Sequence, residues 1–195
     1  MLSKEFKDVQ KSATNYISWK QTALDVKDAS DYLTDQCRYY VYNKHKTFMD
    51  NYFEEANVTR RRDKAIEVIK KYLPNTTAEQ EIQSAVEKSR ELMLTEYYAM
   101  RLIVSSLDIE MDDTYPYEVR MTNLKPEHEI LSAQEKSLLA LDYVIGDDYL
   151  ITKDFIISKV NSAVSAIDSL METRVIKATS DLKKDFSVTA SFNWT

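Results

Sequence analysis

The sequence is poor in the residues that form tight turns, since it has one glycine and three prolines in 195 residues. Sandwiches, barrels and phosphate-binding loops depend on many positions that favour glycine, so these classes are disfavoured. A few long helices joined by a few connections fit the glycine deficit better. The composition therefore predicts an all-α protein.

Cysteine and histidine are also scarce, and the sequence contains only Cys37, His45 and His128. One cysteine cannot form an internal disulfide, and these three residues cannot build a zinc site by themselves. We expect no metal and no cofactor. With 26 basic against 32 acidic residues, the net charge of -6 leaves no basic excess for a nucleic-acid partner. The longest apolar runs fall far short of the roughly 20 residues of a membrane-spanning helix.

Apolar residues recur in alternating steps of three and four along four stretches of the chain, which is typical of helices with one buried stripe. Thr76 or Thr77 can cap the third of these helices. Ser132, with Glu135 three residues later, forms a capping box that opens another helical segment toward Ile145. The four stripes run over Tyr16–Tyr40, Phe48–Leu73, Ile82–Leu107 and Ile157–Ala178.

The helical pattern weakens over residues 108–131, where Pro116 and Pro126 disfavour a continuous helix. We expect a long connection there, with one short helix near residues 117–122. The Gly146-Asp147-Asp148 run is expected to kink or interrupt the helix that follows. Residues 1–185 are predicted to form a single helical-bundle domain, and residues 186–195 a frayed tail.

Short connections between the first three helices favour antiparallel neighbours. The expected architecture is an elongated up-down-up-down four-helix bundle, with the long connection before its last helix. Stripes of some 30 residues make such a rod roughly 45 Å long at about 1.5 Å per residue. Both chain ends would emerge at the same end, as in a domain inserted between two membrane spans.

Charged residues occupy stripe positions where apolar ones are expected, notably Glu55, Arg62 and Glu96, with Arg38 beside the first stripe. Turns assumed near Lys44 and at Pro74 to Thr76 place these side chains and Arg101 in the half of the rod away from the termini. Two interpretations remain open. The groups bind a small polar ligand such as an amino acid or carboxylate, or they form a salt-bridge network that fixes helix register. The candidate ligand-binding residues are Arg38, Tyr52, Glu55, Arg62, Glu96, Tyr97 and Arg101.

Several spaced segments resemble the helical extracytoplasmic sensor regions of bacterial transmembrane signalling proteins, whose output domains are diguanylate cyclases, histidine kinases or chemotaxis-type transducers. The resemblance covers roughly residues 15 to 175. This chain departs from the family pattern at Tyr42-Asn43-Lys44, where such sequences often have Thr-Gly-Asp. The segments that carry it are residues 29–34, 38–41, 52–57, 61–65 and 96–102, with Tyr115-Pro116, Leu131-Ser132, Lys136, Tyr149 and Lys153.

The resemblance implies an extracytoplasmic ligand-sensing domain of a bacterial membrane-anchored protein, which passes ligand binding to a cytoplasmic output domain as a helix shift. We expect no catalytic activity in this domain and a homodimer along its first or last helix. The alternative is an intracellular helical adaptor or scaffold that binds partner helices. A helical enzyme using paired carboxylates is least favoured, because no metal-ligand set accompanies them.

Overall fold

The computed structural model describes the backbone from Leu2 to Phe192 and the side chains of residues 10–181. Over these residues the protein is all-helical and contains no strand, as the composition predicts. A π-helical segment, Glu54–Thr59, separates the second and third α-helices. The α-helices are α1 (Leu2–Asn43), α2 (Lys46–Phe53), α3 (Arg61–Tyr72), α4 (Thr77–Ser106), α5 (Tyr117–Arg120), α6 (Pro126–Glu129), α7 (Ala133–Ile145) and α8 (Asp147–Phe192).

The predicted stripes on α1 and α4 form buried faces of these helices. On α1 every stripe position from Ala23 to Tyr40 is buried, and on α4 every stripe position from Ile82 to Ile103 is buried. On α8 the predicted stripe is wrong, because only Val160 and Ile167 of its positions are buried. The apolar side chains of the α1 and α4 stripes belong to one core that also includes Ile69 of α3 and residues of α7 and α8. Because a fully buried aliphatic side chain contributes about 1.5–3 kcal/mol, this core is the main source of stability.

The helix ends show how a chain with one glycine makes its turns. Thr76 caps α4 by accepting a hydrogen bond from the Glu79 N–H at 3.2 Å, and Ser132 forms the predicted capping box with Glu135 at the start of α7. Left-handed backbone conformations, which usually favour glycine at helix ends, are adopted here by other residues. They are Lys44, Arg60, Asn75 and Asp108.

The structure differs from the sequence expectation in the second stripe and in the long connection. The stretch Phe48–Leu73 is not one helix, because the π-helical segment and the left-handed Arg60 divide it into α2 and α3. In the connection, α5 is the expected short helix. A second short helix, α6, was not expected. No continuous helix crosses Pro126, as expected. Pro126 itself begins α6, because proline is tolerated in the first turn, where its missing N–H has no helical partner.

The last long helix begins earlier and continues further than the sequence pattern suggested. It begins at Asp147, and its backbone is helical as far as Phe192, through most of the segment for which a frayed tail was expected. Residues 193–195 of that segment lie outside the described residues.

The break between α7 and α8 depends on Gly146. Its φ of -68° and ψ of 167° are extended, so the helix stops for one residue. A Cβ at this position would lie 2.6 Å from the backbone oxygen of Asp142, which is closer than real Cβ contacts. The single glycine of the chain therefore permits this break because it has no Cβ to collide with the Asp142 backbone, and not because it adopts a positive φ.

Contacts along the helices give their relative directions. Ser137 and Tyr143 of α7 contact Ser106 and Tyr98 of α4. Further along the chain, α8 contacts the beginning of α4. Residue numbers thus rise along α7 and α8 as they fall along α4. Helix α1 packs against α2, α3, α4, α7 and α8. No helix in the described part of the chain is both long and apolar enough to cross a membrane.

Candidate functional site: two polar layers inside the core

The most deeply buried charged side chain among the described residues is that of Glu96 in α4, which is 2 % exposed. Tyr52 of α2 donates a hydrogen bond to its Oε2 at 2.6 Å, and Tyr149 of α8 donates to its Oε1 at 2.5 Å. The Tyr149 hydroxyl also lies 2.9 Å from the Thr34 hydroxyl of α1. These four residues, here called the Glu96 layer, connect four helices through one carboxylate.

Burial raises the pKa of Glu96, because the ionised carboxylate loses its hydration. The hydrogen bonds from Tyr149 and Tyr52 oppose this rise, as do the positive charges of Lys153 and Arg62. Burial also raises the pKa values of both tyrosines, and the neighbouring Glu96 raises them further. The two phenols therefore remain protonated donors, which is the state that the carboxylate requires.

A second polar layer lies next to the first. Arg62 of α3 is 6 % exposed, and its Nη1 donates a hydrogen bond to the Ser89 hydroxyl of α4 at 2.6 Å. Ser89 lies 3.3 Å from Ser30 of α1, and Lys153 of α8 donates to the same Ser30 hydroxyl at 3.2 Å. We call Ser30, Arg62, Ser89 and Lys153 the Arg62 layer. It again takes one residue from each of four helices.

The Arg62 layer extends to the surface through Lys153, whose Nζ lies 2.7 Å from Asp31 Oδ1. Lys27 holds the other oxygen of Asp31 at 2.8 Å. Partial burial alone would raise the pKa of Asp31, but the hydrogen bonds and charges of the two lysines outweigh burial and lower it. Lys153 is thus a buried cation with a carboxylate partner, as burial of a charge requires.

Three of the seven candidate residues, Tyr52, Arg62 and Glu96, lie in these layers. Arg38 is half-buried and lies next to the Glu96 layer, with its guanidinium 5.2 Å from the centre of the Tyr149 ring. Its Nε donates a hydrogen bond at 2.8 Å to the backbone oxygen of Val144, one of the carbonyls that the end of α7 leaves without a helical partner. Arg38 therefore caps α7 and stacks on Tyr149.

The assumed register predicts Glu55 next to Glu96, but the structure does not place Glu55 in the Glu96 layer. Glu55 is buried, but its carboxylate accepts hydrogen bonds from the backbone N–H and the Nε of Arg61, at 3.1 and 2.8 Å. The wider turn of the π-helical segment rotates Glu55 away from the position that regular α-helical spacing predicts. The Arg61 guanidinium in turn lies over the ring of Tyr32.

The remaining two candidates contribute less to the layers. Tyr97 is partly buried and stacks on Phe53 with ring centres 5.5 Å apart, so it packs beside Tyr52 without a hydrogen bond to Glu96. Arg101 is half-buried, and its Nε has no hydrogen-bond partner among the described residues. A ligand-binding role for any of the seven residues stays a prediction.

Tyr149 and Lys153 are the residues of the polar layers that the stripe analysis missed, although both belong to the segments that carry the family resemblance. The sequence contains a usable signal for them. Counting back from Ile167 in steps of four and three leads through the buried residues of α8. These are Ala163, Val160, Ile156, Lys153 and Tyr149. The predicted stripe began instead at Ile157, because the glycine-containing run before it indicated an interruption.

A cavity of about 550 Å³ adjoins the Glu96 layer at the break between α7 and α8. Tyr149 belongs to both the cavity wall and the layer. The other walls come from α4, α6 and α7, and they carry both acidic and basic side chains. None of the seven candidate residues lines this cavity.

A larger and more open groove, of about 1150 Å³, follows α8 from Asp154 to Thr173 beside the turn between α3 and α4. Serine, threonine and asparagine side chains form much of its lining. The groove lies away from both polar layers and shares no lining residue with the smaller cavity. It therefore gives no access to Glu96.

Among the described residues, no group of three or more histidine, cysteine, aspartate or glutamate side chains could hold a metal ion. Cys37 is buried, and burial raises the pKa of its thiol. Comparisons with known proteins give no further identification, since no family model, no curated protein and no solved structure matches the chain.

Proposed function

We propose that this chain is the extracytoplasmic ligand-sensing domain of a bacterial membrane-anchored signalling protein. In this proposal the domain has no catalytic activity, and it binds a small polar ligand and passes the event to a cytoplasmic output domain as a helix shift. The observation that carries the proposal is the Glu96 layer, in which one buried carboxylate joins four helices. The segments that resemble sensor regions include all four members of the layer, which are Thr34, Tyr52, Glu96 and Tyr149.

The proposed architecture is an up-down-up-down four-helix bundle. Its second member consists of α2, the π-helical segment and α3, and its fourth member consists of α7 and α8. The direction of the contacts supports this topology, because Tyr149 of α8 meets Glu96 of α4, while Lys159 further along α8 meets Glu81 nearer the start of α4. In such a bundle the beginning of α1 and the end of α8 lie at the membrane end.

The polar layers give this bundle a means of changing state in discrete steps. Apolar side chains tolerate small sliding movements, whereas a buried hydrogen bond is either made or lost. If α8 moved along or rotated against α4, Tyr149 would leave Glu96 and the carboxylate would need new partners. A ligand that favours one of two such arrangements shifts their populations by its difference in affinity for them.

The experiment that tests this function places the chain between two membrane spans and fuses it to a histidine kinase or cyclase output domain. A panel of amino acids, carboxylic acids, amines and sugars is screened for changes in output and, with the free domain, for changes in Tm. We expect at least one compound to do both, since binding at one hundred times Kd adds about 2.7 kcal/mol to stability.

Tyr149→Phe is the informative variant for this experiment, because it removes the hydroxyl that joins α8 to Glu96 and keeps the ring. We expect it to change the output of the fusion in the absence of ligand. Tyr42→Phe is the control, because Tyr42 is exposed on α1 and lies outside the polar layers and the cavity wall. If no compound in the panel shifts the Tm or changes the output, the proposed sensor function is wrong, and the alternative of a helical adaptor gains support.

Dimerisation along α1 or α8 is part of the same proposal. Exposed apolar side chains, Ile17 on α1 and Val175 and Ile176 on α8, support it. Single cysteines introduced along both helices of the membrane-bound fusion should form symmetric disulfides at helical spacing. The native Cys37 is buried and does not interfere. A scan without such a pattern would contradict the dimer.

A further inference from the structure

The cavity at the break between α7 and α8 has the size of a small-molecule site. Its volume of about 550 Å³ lies within the roughly 300–1,000 Å³ that such sites occupy. Leu92 and Leu139 form apolar parts of its wall, and Thr95 and Thr152 add hydroxyl groups. The wall thus combines apolar surface with a few polar groups, as ligand sites do.

Charged groups of both signs lie on the cavity wall without protein partners. The carboxylates of Asp142, Asp147 and Asp148 take part in no hydrogen bond or ion pair among the described residues, and the same holds for the Lys125 ammonium. The three aspartates do not form a group that could hold a metal ion. A ligand suited to this wall therefore carries an organic cation and an anionic group.

The rest of the wall is held in a fixed position by hydrogen bonds. The Tyr98 hydroxyl lies 2.7 Å from Nδ1 of His128 and accepts a hydrogen bond from the Lys125 backbone N–H at 2.9 Å. The α5–α6 connection is thereby tied to α4 on one side of the cavity. On the other side α8 begins, and Gly146 has no side chain with which to cap its first turn.

Tyr149 connects the cavity to the interior of the protein. Its side chain lines the cavity, and its hydroxyl donates the 2.5 Å hydrogen bond to Glu96. A molecule in the cavity would contact the same residue that holds α8 to the Glu96 layer. This shared residue distinguishes the cavity from the larger groove, whose lining reaches neither polar layer.

We infer that this cavity binds a small molecule of the α-amino-acid class. Its ammonium group faces Asp142, Asp147 and Asp148, and its carboxylate faces Lys125 on the opposite wall. This inference rests on the proposed sensor function and deepens it, because it assigns the ligand class and moves the binding site away from the seven seam residues. In this arrangement the buried layers respond to the ligand through Tyr149 and do not contact it.

The test titrates the free domain with each of the common L-α-amino acids, using calorimetry and thermal unfolding. The corresponding amines without a carboxylate and carboxylic acids without an amine serve as further probes. We expect at least one amino acid to bind and, at one hundred times its Kd, to raise the Tm by about 5–10 °C. Probes that lack either charged group should bind at least tenfold more weakly.

Two cavity variants and one matched control locate the site. Asp148→Asn removes an exposed carboxylate and should weaken binding about tenfold, which corresponds to about 1.4 kcal/mol. Thr152→Phe fills the cavity from α8 and should abolish binding. Asp154→Asn, on the same helix but outside the cavity, should leave the affinity unchanged. Unfolding curves of the free variants show whether each one folds.

The outcomes separate this inference from the sensor function. Binding that is lost in Thr152→Phe and retained in Asp154→Asn supports the cavity. Amino-acid binding that is unaffected by Thr152→Phe overturns the cavity and leaves the sensor function standing. If no amino acid binds while another compound of the wider panel shifts the Tm, the ligand class assigned here is wrong, and the sensor function again stands.

Discussion

The two polar layers and the cavity next to the Glu96 layer place charged side chains in opposite environments. In the layers, Glu96, Arg62 and Lys153 are almost inaccessible to solvent, and each has hydrogen-bond partners from other helices. In the cavity, Asp142 and its acidic neighbours are exposed and lack protein partners in the described part of the chain. In the layers the charged groups are hydrogen-bonded between helices, whereas on the cavity wall they have no protein partner among the described residues.

This difference follows from the cost of burying an ion. A charge withdrawn from water must be paired and hydrogen-bonded, so its binding capacity is already used. A charge at a helix break keeps its water and can exchange it for a ligand. A charged residue on an apolar stripe therefore indicates a register contact first. A binding site is better sought where the regular packing stops, as it does at Gly146.

The largest expected effect comes from removing the carboxylate of the Glu96 layer. Glu96→Ala leaves the Tyr52 and Tyr149 hydroxyls without their acceptor and creates a cavity, so we expect a loss of about 3–5 kcal/mol in the free energy of unfolding. Denaturant unfolding at neutral pH measures it. Asp142→Ala on the cavity wall is the control and should cost far less. Equal losses in the two variants would remove the contrast between the regions.

The Arg62 layer should show a smaller loss when its lysine is replaced. Lys153→Met keeps the length of the side chain but removes the hydrogen bonds to Ser30 and Asp31, so we expect a loss of about 2 kcal/mol. Lys159→Met is the matched control on α8, because the Lys159 side chain is more exposed than that of Lys153, and its ion pair with Glu81 should contribute about 1 kcal/mol or less. A smaller loss for Lys153→Met than for Lys159→Met would contradict the importance of the layer.

Much of the fold was predictable because it depends on repeated local signals. The stripes on α1 and α4 and the caps at Thr76 and Ser132 follow from the spacing of apolar residues and from capping chemistry, and the structure contains all of them. The same spacing correctly indicated that Glu96 and Arg62 are buried. What it could not give was the partners of these charges, because those depend on register across helices.

The errors occurred where the chain departs from regular α-helix. The π-helical segment moves Glu55 away from Glu96, its expected neighbour, and no sequence property of the segment predicts this irregularity. At Gly146 the sequence indicates the break but also suggests that the following residues continue the interruption, so Tyr149 and Lys153 are not assigned to the stripe. The short helix α6 that begins at Pro126 is likewise not predicted by the sequence pattern.

The pH dependence of stability should separate Glu96 from other carboxyl groups. Since the pKa of Glu96 is raised in the folded state above its ordinary value of 4.5, the folded protein holds this proton more tightly than the unfolded chain. The contribution of Glu96 is therefore fully favourable below pH 4.5 and declines as the pH rises through the raised pKa. The decline for one group cannot exceed about 1.4 kcal/mol per pH unit.

Glu96→Gln, which keeps the shape of the side chain and cannot ionise, makes this contribution measurable. The stability of the original protein minus that of the variant should fall with rising pH and then level off. Groups with lowered pKa values, such as Asp31 and Asp168, act in the opposite direction as the pH falls, and they cancel in the difference. A difference that rises with pH would contradict a raised Glu96 pKa.

The smallest effect on stability should come from the cavity wall, and a pair of matched variants tests it. Asp31→Asn removes a carboxylate held by Lys153 and Lys27, so it should cost about 1–2 kcal/mol. Asp148→Asn removes an exposed carboxylate with no protein partner in the described structure, so it should change the free energy of unfolding by less than about 0.5 kcal/mol. Part of that small change comes from the start of α8, which favours a negative charge.

If denaturant unfolding gave equal losses for the two variants, Asp148 would have to contribute to folding as Asp31 does. Its charge would then not be free for a ligand, and the distinction between the layers and the cavity would fail at the residue on which it most depends.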